Sequence, residues 1–224
     1  MTADLIDGNA IAAELKDQLQ AELSELGDAG PVPGLATLQV GDDYAASAYE
    51  RRVRRLAESV GVRYDAAHLT SEAGPADVLA AIGGFNADPR IHGVLVLRPL
   101  GSVHDETAIF RTLDPTKDIE AVNPANAGLL ALGVPRFVPS TPASCFHLLD
   151  TYLERSGRDK KAFYERSLIV CIGRSNNVGK PAMLLAMARN ATVISCDIHT
   201  SRAGRLVDLT RQADVLVVAA GVAG

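Results

Sequence analysis

Apolar residues along this chain follow two rhythms. Gly93–Leu97, Leu168–Ile172 and Val215–Ala220 are short, nearly continuous hydrophobic runs, and Leu35–Val40 and Ala191–Cys196 read as short strands with a polar residue or two among the apolar ones. Runs of this kind suit parallel strands covered on both faces, and Arg63–Leu69 adds a further strand. Between them lie stretches with helical spacing: Ile11, Leu15 and Leu19 after Asp7-Gly8-Asn9, then residues 44–60 closed by Gly61, Pro75–Phe85, and Ala143–Arg155. Gly27–Gly34, rich in Pro and Gly, breaks the first helix; a Pro-rich segment runs from Pro115 to Pro142; Ser156–Arg166 reads as a charged linker. Strand–helix alternation of this kind predicts the α/β class with a parallel sheet. The pattern divides into an N-terminal α/β domain, residues 1–142, and a second domain, residues 143–224, joined through the helix 143–155. A cleft between two such domains is where a ligand is expected.

The second domain opens on its most telling segment, LIVCIGRSNNVGKP, residues 168–181. A buried strand turns at Gly173 through a polar loop into Gly179, and Ala182–Ala188 continues as a helix. Unpaired N–H groups and the helix dipole favour an anion at such a turn. The spacing differs from G-x-G-x-x-G, so the pattern alone is weak. The next strand ends in Asp197, roughly 24 residues after Gly173, where an acid meets the adenosine ribose in dinucleotide-binding folds. Strand, glycine turn, helix, strand and acid make half of a Rossmann domain, here incomplete.

Composition narrows the classes. The 224 residues are 47% hydrophobic but only 4% aromatic, with no Trp, so the cores must be built from Leu, Val, Ile and Ala. A net charge of −5 and the lack of a basic stripe exclude nucleic acid as a general partner. The one dense positive run, Arg51, Arg52, Arg54 and Arg55, reads as a solvated helix face, with an anionic ligand as the sharper alternative. Cys145, Cys171 and Cys196 lack paired spacing and read as buried thiols in a reducing compartment. No metal site is expected: His68, His92, His104, His147 and His199 have no ligand spacing and read as structural or exposed. The N-terminus carries an early acid and no long apolar run, so neither a signal peptide nor a membrane span is expected, and the location is expected to be cytoplasmic.

Taken in order, DGNAIA (7–12), VGDDYAASAYERR (40–52), GVLVLRPL (93–100), DPTKDIEAVNP (114–124), PSTP (139–142), IGRSNNVGKPAMLL (172–185) and ADVLVVAAG (213–221) resemble one family. It is the bifunctional methylenetetrahydrofolate dehydrogenase/methenyltetrahydrofolate cyclohydrolase family, the FolD type. The resemblance implies a catalytic N-terminal domain, a C-terminal Rossmann domain and a homodimer. It also implies oxidation of 5,10-methylenetetrahydrofolate with NADP, then hydrolysis of the methenyl product. It places Tyr49, Pro99, Leu100, Asp118 and Glu120 at the folate, and Gly173, Arg174, Ser175, Val178, Gly179, Asp197 and His199 at the nucleotide. Relative to that family the chain is divergent and C-terminally shortened, and its last strand is expected to leave an apolar edge.

The departures bear on mechanism. In the family a lysine follows the tyrosine by four residues on one helix face; here Tyr49 is followed by Val53. The family's strand glutamine is Leu97, the apolar residue after it is Arg98, and the K-D-h-D-G motif (h, apolar) reads Lys117-Asp118-Ile119-Glu120-Ala121. Hydride transfer moves no proton and asks mainly for positioning. Hydrolysis needs a group that gives and takes protons; Val53 cannot, and Arg52 stays charged. The expectation is a dehydrogenase whose cyclohydrolase activity is weak or lost. A repurposed imine or iminium reductase and a non-catalytic nucleotide-binding homologue are the alternatives, and Tyr49 as a core aromatic or Asp118 and Glu120 as solvated loop acids are the plain structural readings. At the ribose, the family's histidine-serine-arginine set is replaced by Asp197, Ile198 and His199. Family precedent gives NADP, while an aspartate there leans to NAD.

Overall fold

The protein is described here from a computed structural model, which covers residues 3–26, 30–101 and 105–221. It divides into two compact units, one of Asp7–Asn126 and one built from the chain beyond it together with the first residues. His104 lies outside the described residues.

The first unit begins with helix α1 (Gly8–Leu26), whose opening turn is capped by the Asp7 carboxylate accepting from the N–H groups of Asn9 and Ala10. Strand β1 (Gly34–Val40) follows, then α2 (Tyr44–Ser59), capped where Asp43 accepts from Ala46 N–H at 2.8 Å. Strand β2 (Arg63–Leu69), α3 (Pro75–Ala87) and strand β3 (Gly93–Val96) complete a parallel sheet in the order β2-β1-β3. The first strand in the chain is therefore central, and its residues are almost all buried, the polar Thr37 and Gln39 included. Ala36, Leu38, Val78, Ile82, Val94 and Ile109 form the dry centre of this unit. Helix α4 (Glu106–Thr112) was not expected; Asp105 caps it, accepting from the N–H groups of Thr107 and Ala108.

Helix α5 (Pro124–Ala131) interrupts the Pro-rich segment, with Pro124 in the first turn where its missing N–H costs nothing. Helix α6 (Ser140–Arg155) starts three residues before the expected 143. The charged stretch 156–166 is no plain linker: it holds α7 (Lys160–Arg166), capped by Asp159, with Tyr164 buried and its hydroxyl donating to Asp150 at 2.6 Å. Strand β4 (Leu168–Ile172), α8 (Gly179–Ala188), strand β5 (Thr192–Cys196), α9 (Ile198–Arg202), α10 (Leu206–Arg211) and strand β6 (Val215–Val218) follow. Their sheet is also parallel, in the order β5-β4-β6. Strand β6 turns Val215 and Val217 toward the core and leaves Leu216 and Val218 exposed, so it is covered on one face only among the described residues. Cys171 and Cys196 are buried, but Cys145 is exposed on α6, contrary to the expectation of three buried thiols.

In both sheets the chain leaves the central strand toward opposite sides. The carboxyl end of each central strand is thus a topological switch point, the place where α/β sheets open a ligand crevice.

Candidate functional site

At the carboxyl end of β4 the chain turns through Gly173 at φ +108°, a conformation that favours glycine. A side chain there would also collide with the backbone just beyond strand β6, since a Cβ would lie 2.3 Å from the Ala219 carbonyl oxygen. Gly179 is equally constrained: its Cβ would lie 2.1 Å from the Gly173 oxygen and 2.9 Å from Arg174 N. The two glycines let α8 start in direct contact with the strand end. Ser175 closes the loop, its hydroxyl oxygen accepting from the N–H groups of Val178 at 3.2 Å and Gly179 at 3.3 Å. The backbone N–H groups of Ser175, Asn176 and Asn177 make no hydrogen bond among the described residues and lie at or near the surface. Open donors ahead of a ten-residue helix, in a turn that glycine alone permits, fit a dinucleotide's pyrophosphate.

Asp197 ends β5, as expected, and serves as the N-cap of α9: Oδ1 accepts from Thr200 N–H at 3.0 Å and from its hydroxyl at 3.1 Å. The hydrogen bond from the Thr200 N–H is the main reason its carboxyl stays below the usual carboxylate range. Arg174 reaches across to the same strand end, bonding Ser195 and Asp197. Val178 is half-buried just before α8, and His199 is exposed in α9.

The residues expected at the folate lie in the first unit. Leu95 and Leu97 project from alternate positions of one strand face and pack with Ala46 of α2, with Val53 and Ile119 against them. Leu97 is 4% exposed and its N–H donates to the Leu38 carbonyl, continuing the β1–β3 pairing. The two apolar replacements therefore share one small cluster, Leu97 inside it and the half-buried Val53 packed against it. Tyr49 is 44% exposed on α2, which sets aside its reading as a core aromatic. Pro99 is exposed, joined to Arg98 by a cis peptide bond, whereas Leu100 is buried in the core. Arg98 pairs with Glu106 at 3.1 Å and covers the Phe110 ring.

The loop after α4 holds the two acids, and they differ. Asp118 is fully buried: Oδ1 accepts from Val122 N–H, and Oδ2 from Asn123 N–H and the Asn126 side-chain amide. It organises the loop and is not a solvated acid. Lys117 donates to the carbonyls of Phe85, Asn86 and Asp88, closing the C-terminal end of α3. Glu120 remains half-buried beside Ala121, which sits at φ +51°. Asn123 and Asn126 were missed by sequence reasoning, because polar residues in a Pro-flanked loop read as solvated.

A neighbouring network fixes α2. Glu50 is 4% exposed; Tyr64 donates to it at 2.5 Å and Arg54 at 3.0 Å. Because the Tyr64 proton is used on Glu50, Thr37 must donate to the Tyr64 oxygen. Arg54 covers the Tyr64 ring, while Arg51, Arg52 and Arg55 are exposed, so the arginine run does not form one patch. Of the histidines, His68, His92, His147 and His199 are exposed. Among the described residues no group of three or more His, Cys, Asp and Glu could hold a metal ion, and no helix is long and apolar enough to cross a membrane.

Comparison with known proteins supplies a context for both units. Residues 6–120 match the family model for the tetrahydrofolate dehydrogenase/cyclohydrolase catalytic domain, and residues 139–224 match that for its NAD(P)-binding domain. The chain is 61% identical over 224 residues to the bifunctional protein FolD 3 of Rubrobacter xylanophilus, covering all of this chain and 70% of that one. It is 38% identical over 222 residues to the bifunctional FolD of Bacillus subtilis, covering 99% of this chain and 74% of that one. The solved methylenetetrahydrofolate dehydrogenase-cyclohydrolase of Trypanosoma brucei, complexed with NADP and an inhibitor, is similar with a TM-score of 0.90 at 28% identity, over all of this chain and 74% of that one. The Campylobacter jejuni enzyme gives a TM-score of 0.86 at 33% identity, over 97% and 74%.

Proposed function

The chain belongs to the tetrahydrofolate dehydrogenase/cyclohydrolase family, and from that premise we propose a methylenetetrahydrofolate dehydrogenase that has kept hydride transfer and lost most or all of its hydrolase. The names of its relatives, which are bifunctional, favour the dehydrogenase over an imine reductase or a non-catalytic homologue; the loss of hydrolysis rests on this chain's own residues. The observation that carries the loss is the packing of Val53 and Leu97 into one apolar cluster.

Bound NAD or NADP supplies the hydride acceptor. Gly173 and Gly179 keep the loop free of side chains where the pyrophosphate would bind, and the N–H groups of Ser175, Asn176 and Asn177 would hold it. In the first unit, Tyr49 on α2 and Glu120 on its loop are the polar side chains we assign to the folate. Removing a hydride from the methylene carbon leaves a cation, which the Glu120 carboxylate would stabilise. Opening the methenyl ring requires water to attack and protons to move. Val53 and Leu97 can neither donate nor accept a proton, and Arg52 is exposed and permanently charged. Asp118 and Leu100, expected at the substrate, are buried; we assign them to shaping its loops. A homodimer in the cytoplasm is part of the same proposal, supported by the family resemblance.

The test is an assay of the full chain with 5,10-methylenetetrahydrofolate and each nucleotide, following methenyl product and its decay. Methenyl product that accumulates and decays no faster than in buffer is expected. Decay several-fold above buffer would overturn the loss of hydrolysis, and absence of turnover with both nucleotides would overturn the dehydrogenase.

A further inference from the structure

Arg174 commits three of its N–H groups to the end of β5: Nε to Ser195 Oγ at 2.8 Å, Nη2 to the Ser195 carbonyl at 3.1 Å, and Nη1 to Asp197 Oδ2 at 2.8 Å. Capping α9 needs only Oδ1 of Asp197. The second oxygen is therefore spent on the arginine alone. The side chains are 46% and 18% exposed, so the pair sits at the surface of the loop, at the strand end where dinucleotide folds present the adenosine ribose.

We propose that Asp197 selects NAD over NADP by holding the Arg174 guanidinium in an internal ion pair, its carboxylate standing in for the 2′-phosphate that the arginine would otherwise neutralise. The inference rests on reading the Gly173–Gly179 loop as the dinucleotide site, and differs from a simple hydrogen bond between Asp197 and the ribose. A 2′-phosphate arriving here meets a charged carboxylate fixed on two sides and a guanidinium already neutralised. With a 2′-hydroxyl nothing is displaced: Arg174 keeps its bonds, and Oδ2 retains a lone pair for the hydroxyl proton. Other cations nearby in sequence are Arg202, exposed at the far end of α9, Arg205 just beyond it, and Lys180, exposed at the start of α8 and bonded to Asn176.

Two substitutions separate the parts. Asp197→Asn removes the charge but keeps an N-cap of equal quality, so α9 is retained. Arg174→Met removes the cation from either background. The measurement is titration calorimetry of NAD+ and NADP+ against the full chain and its variants, with no turnover involved. The unmodified chain is expected to bind NAD+ about tenfold or more tighter than NADP+, the size of effect that like charges at contact separation produce in water. Asp197→Asn should tighten NADP+ by about tenfold while NAD+ weakens by a few-fold at most through the lost acceptor for the 2′-hydroxyl, and adding Arg174→Met should cancel the NADP+ gain. An unchanged NAD+/NADP+ ratio in Asp197→Asn would overturn the proposal. So would a gain that survives Arg174→Met, which would move the selection to another of these cations. Absence of binding of both nucleotides to every variant would instead overturn the dinucleotide reading of the loop, and the proposal with it.

Discussion

The glycine loop of the second unit and the Val53–Leu97 cluster of the first stand at equivalent places, each beside the carboxyl end of a sheet whose first strand is central. In the loop, the geometry a phosphate asks for is present: two glycines where a Cβ would meet backbone, and open N–H donors ahead of α8. In the cluster, the positions where the family resemblance implies lysine and glutamine are hydrocarbon, Leu97 buried with Leu95 and Ala46 and Val53 packed against them. Positioning chemistry needs the first kind of site and proton transfer needs the second. On the proposed reading, the contrast teaches that one fold can shed half of a two-step reaction without disturbing the architecture that serves the other half.

The contrast breaks most severely if the loop tolerates a side chain. Gly179→Ala puts a methyl 2.1 Å from a backbone oxygen, and no rotamer relieves it. The loss of stability should be about 3 kcal/mol or more, with nucleotide binding abolished. Denaturant unfolding and calorimetry of the same sample would check both. Retention of binding would mean that the loop is not held by this contact.

From the other side, the contrast breaks if the cluster can be made hydrolytic. Val53→Lys with Leu97→Gln should raise methenyl hydrolysis by about 10²–10⁴-fold. It should also lower stability by about 1–3 kcal/mol, since an amide enters an apolar environment. A double variant that binds folate and gains no hydrolysis would show that these two losses are not the cause.

Much of this was legible in the sequence. The near-continuous runs Gly93–Leu97 and Leu168–Ile172 announced buried parallel strands, because burial on both faces leaves no polar alternation to confuse the signal; Leu35–Val40 is buried as well, yet it carries Thr37 and Gln39. Helices α4, α5 and α7, of seven or eight residues each, are too short to show a hydrophobic period, and the capping aspartates Asp105 and Asp159 were the only local clues to two of them. At the site, side-chain identity was readable but side-chain partnership was not. Nothing in the spacing of Asp118, Asn123 and Asn126 tells that they close on one another, and the Arg174–Asp197 pair joins residues brought together only by the β4–β5 register.

A smaller effect sharpens the contrast through pH. Glu50 holds α2 against the sheet through Tyr64 and Arg54. Burial acts to raise its pKa, but the hydrogen bonds from Tyr64 and Arg54 together with nearby positive charge outweigh it, and the group ends below its ordinary value. Tyr64 is pushed the other way, up to about 12, by burial and by Glu50. A depressed carboxylate contributes stability that is complete above its unfolded pKa, near 4.3, and is lost as pH falls through the folded value. Glu50→Gln should cost about 1–2 kcal/mol at neutral pH and flatten the acid limb of the stability curve. An acid limb unchanged in the variant would remove Glu50 from the account. The loop of the second unit should be indifferent, with nucleotide affinity unchanged.

Least effect of all is expected at the other family glycine, now Ala121. It sits at φ +51°, which costs an ordinary residue about 1–2 kcal/mol. Yet its methyl is buried, contributing about 0.8 kcal/mol, and alanine restricts the unfolded chain by about 0.4–1 kcal/mol relative to glycine. These terms nearly cancel. Ala121→Gly should therefore shift stability by less than about 1 kcal/mol, a few degrees in Tm at most, and leave hydrolysis at the buffer rate. The same substitution type, glycine against alanine, is thus nearly neutral beside Glu120 and ruinous at Gly179, because one methyl finds space in a core and the other finds a carbonyl oxygen. Should Ala121→Gly alone restore hydrolysis, the defect would lie in the path of the Glu120 loop and not in the missing proton-transfer groups at 53 and 97.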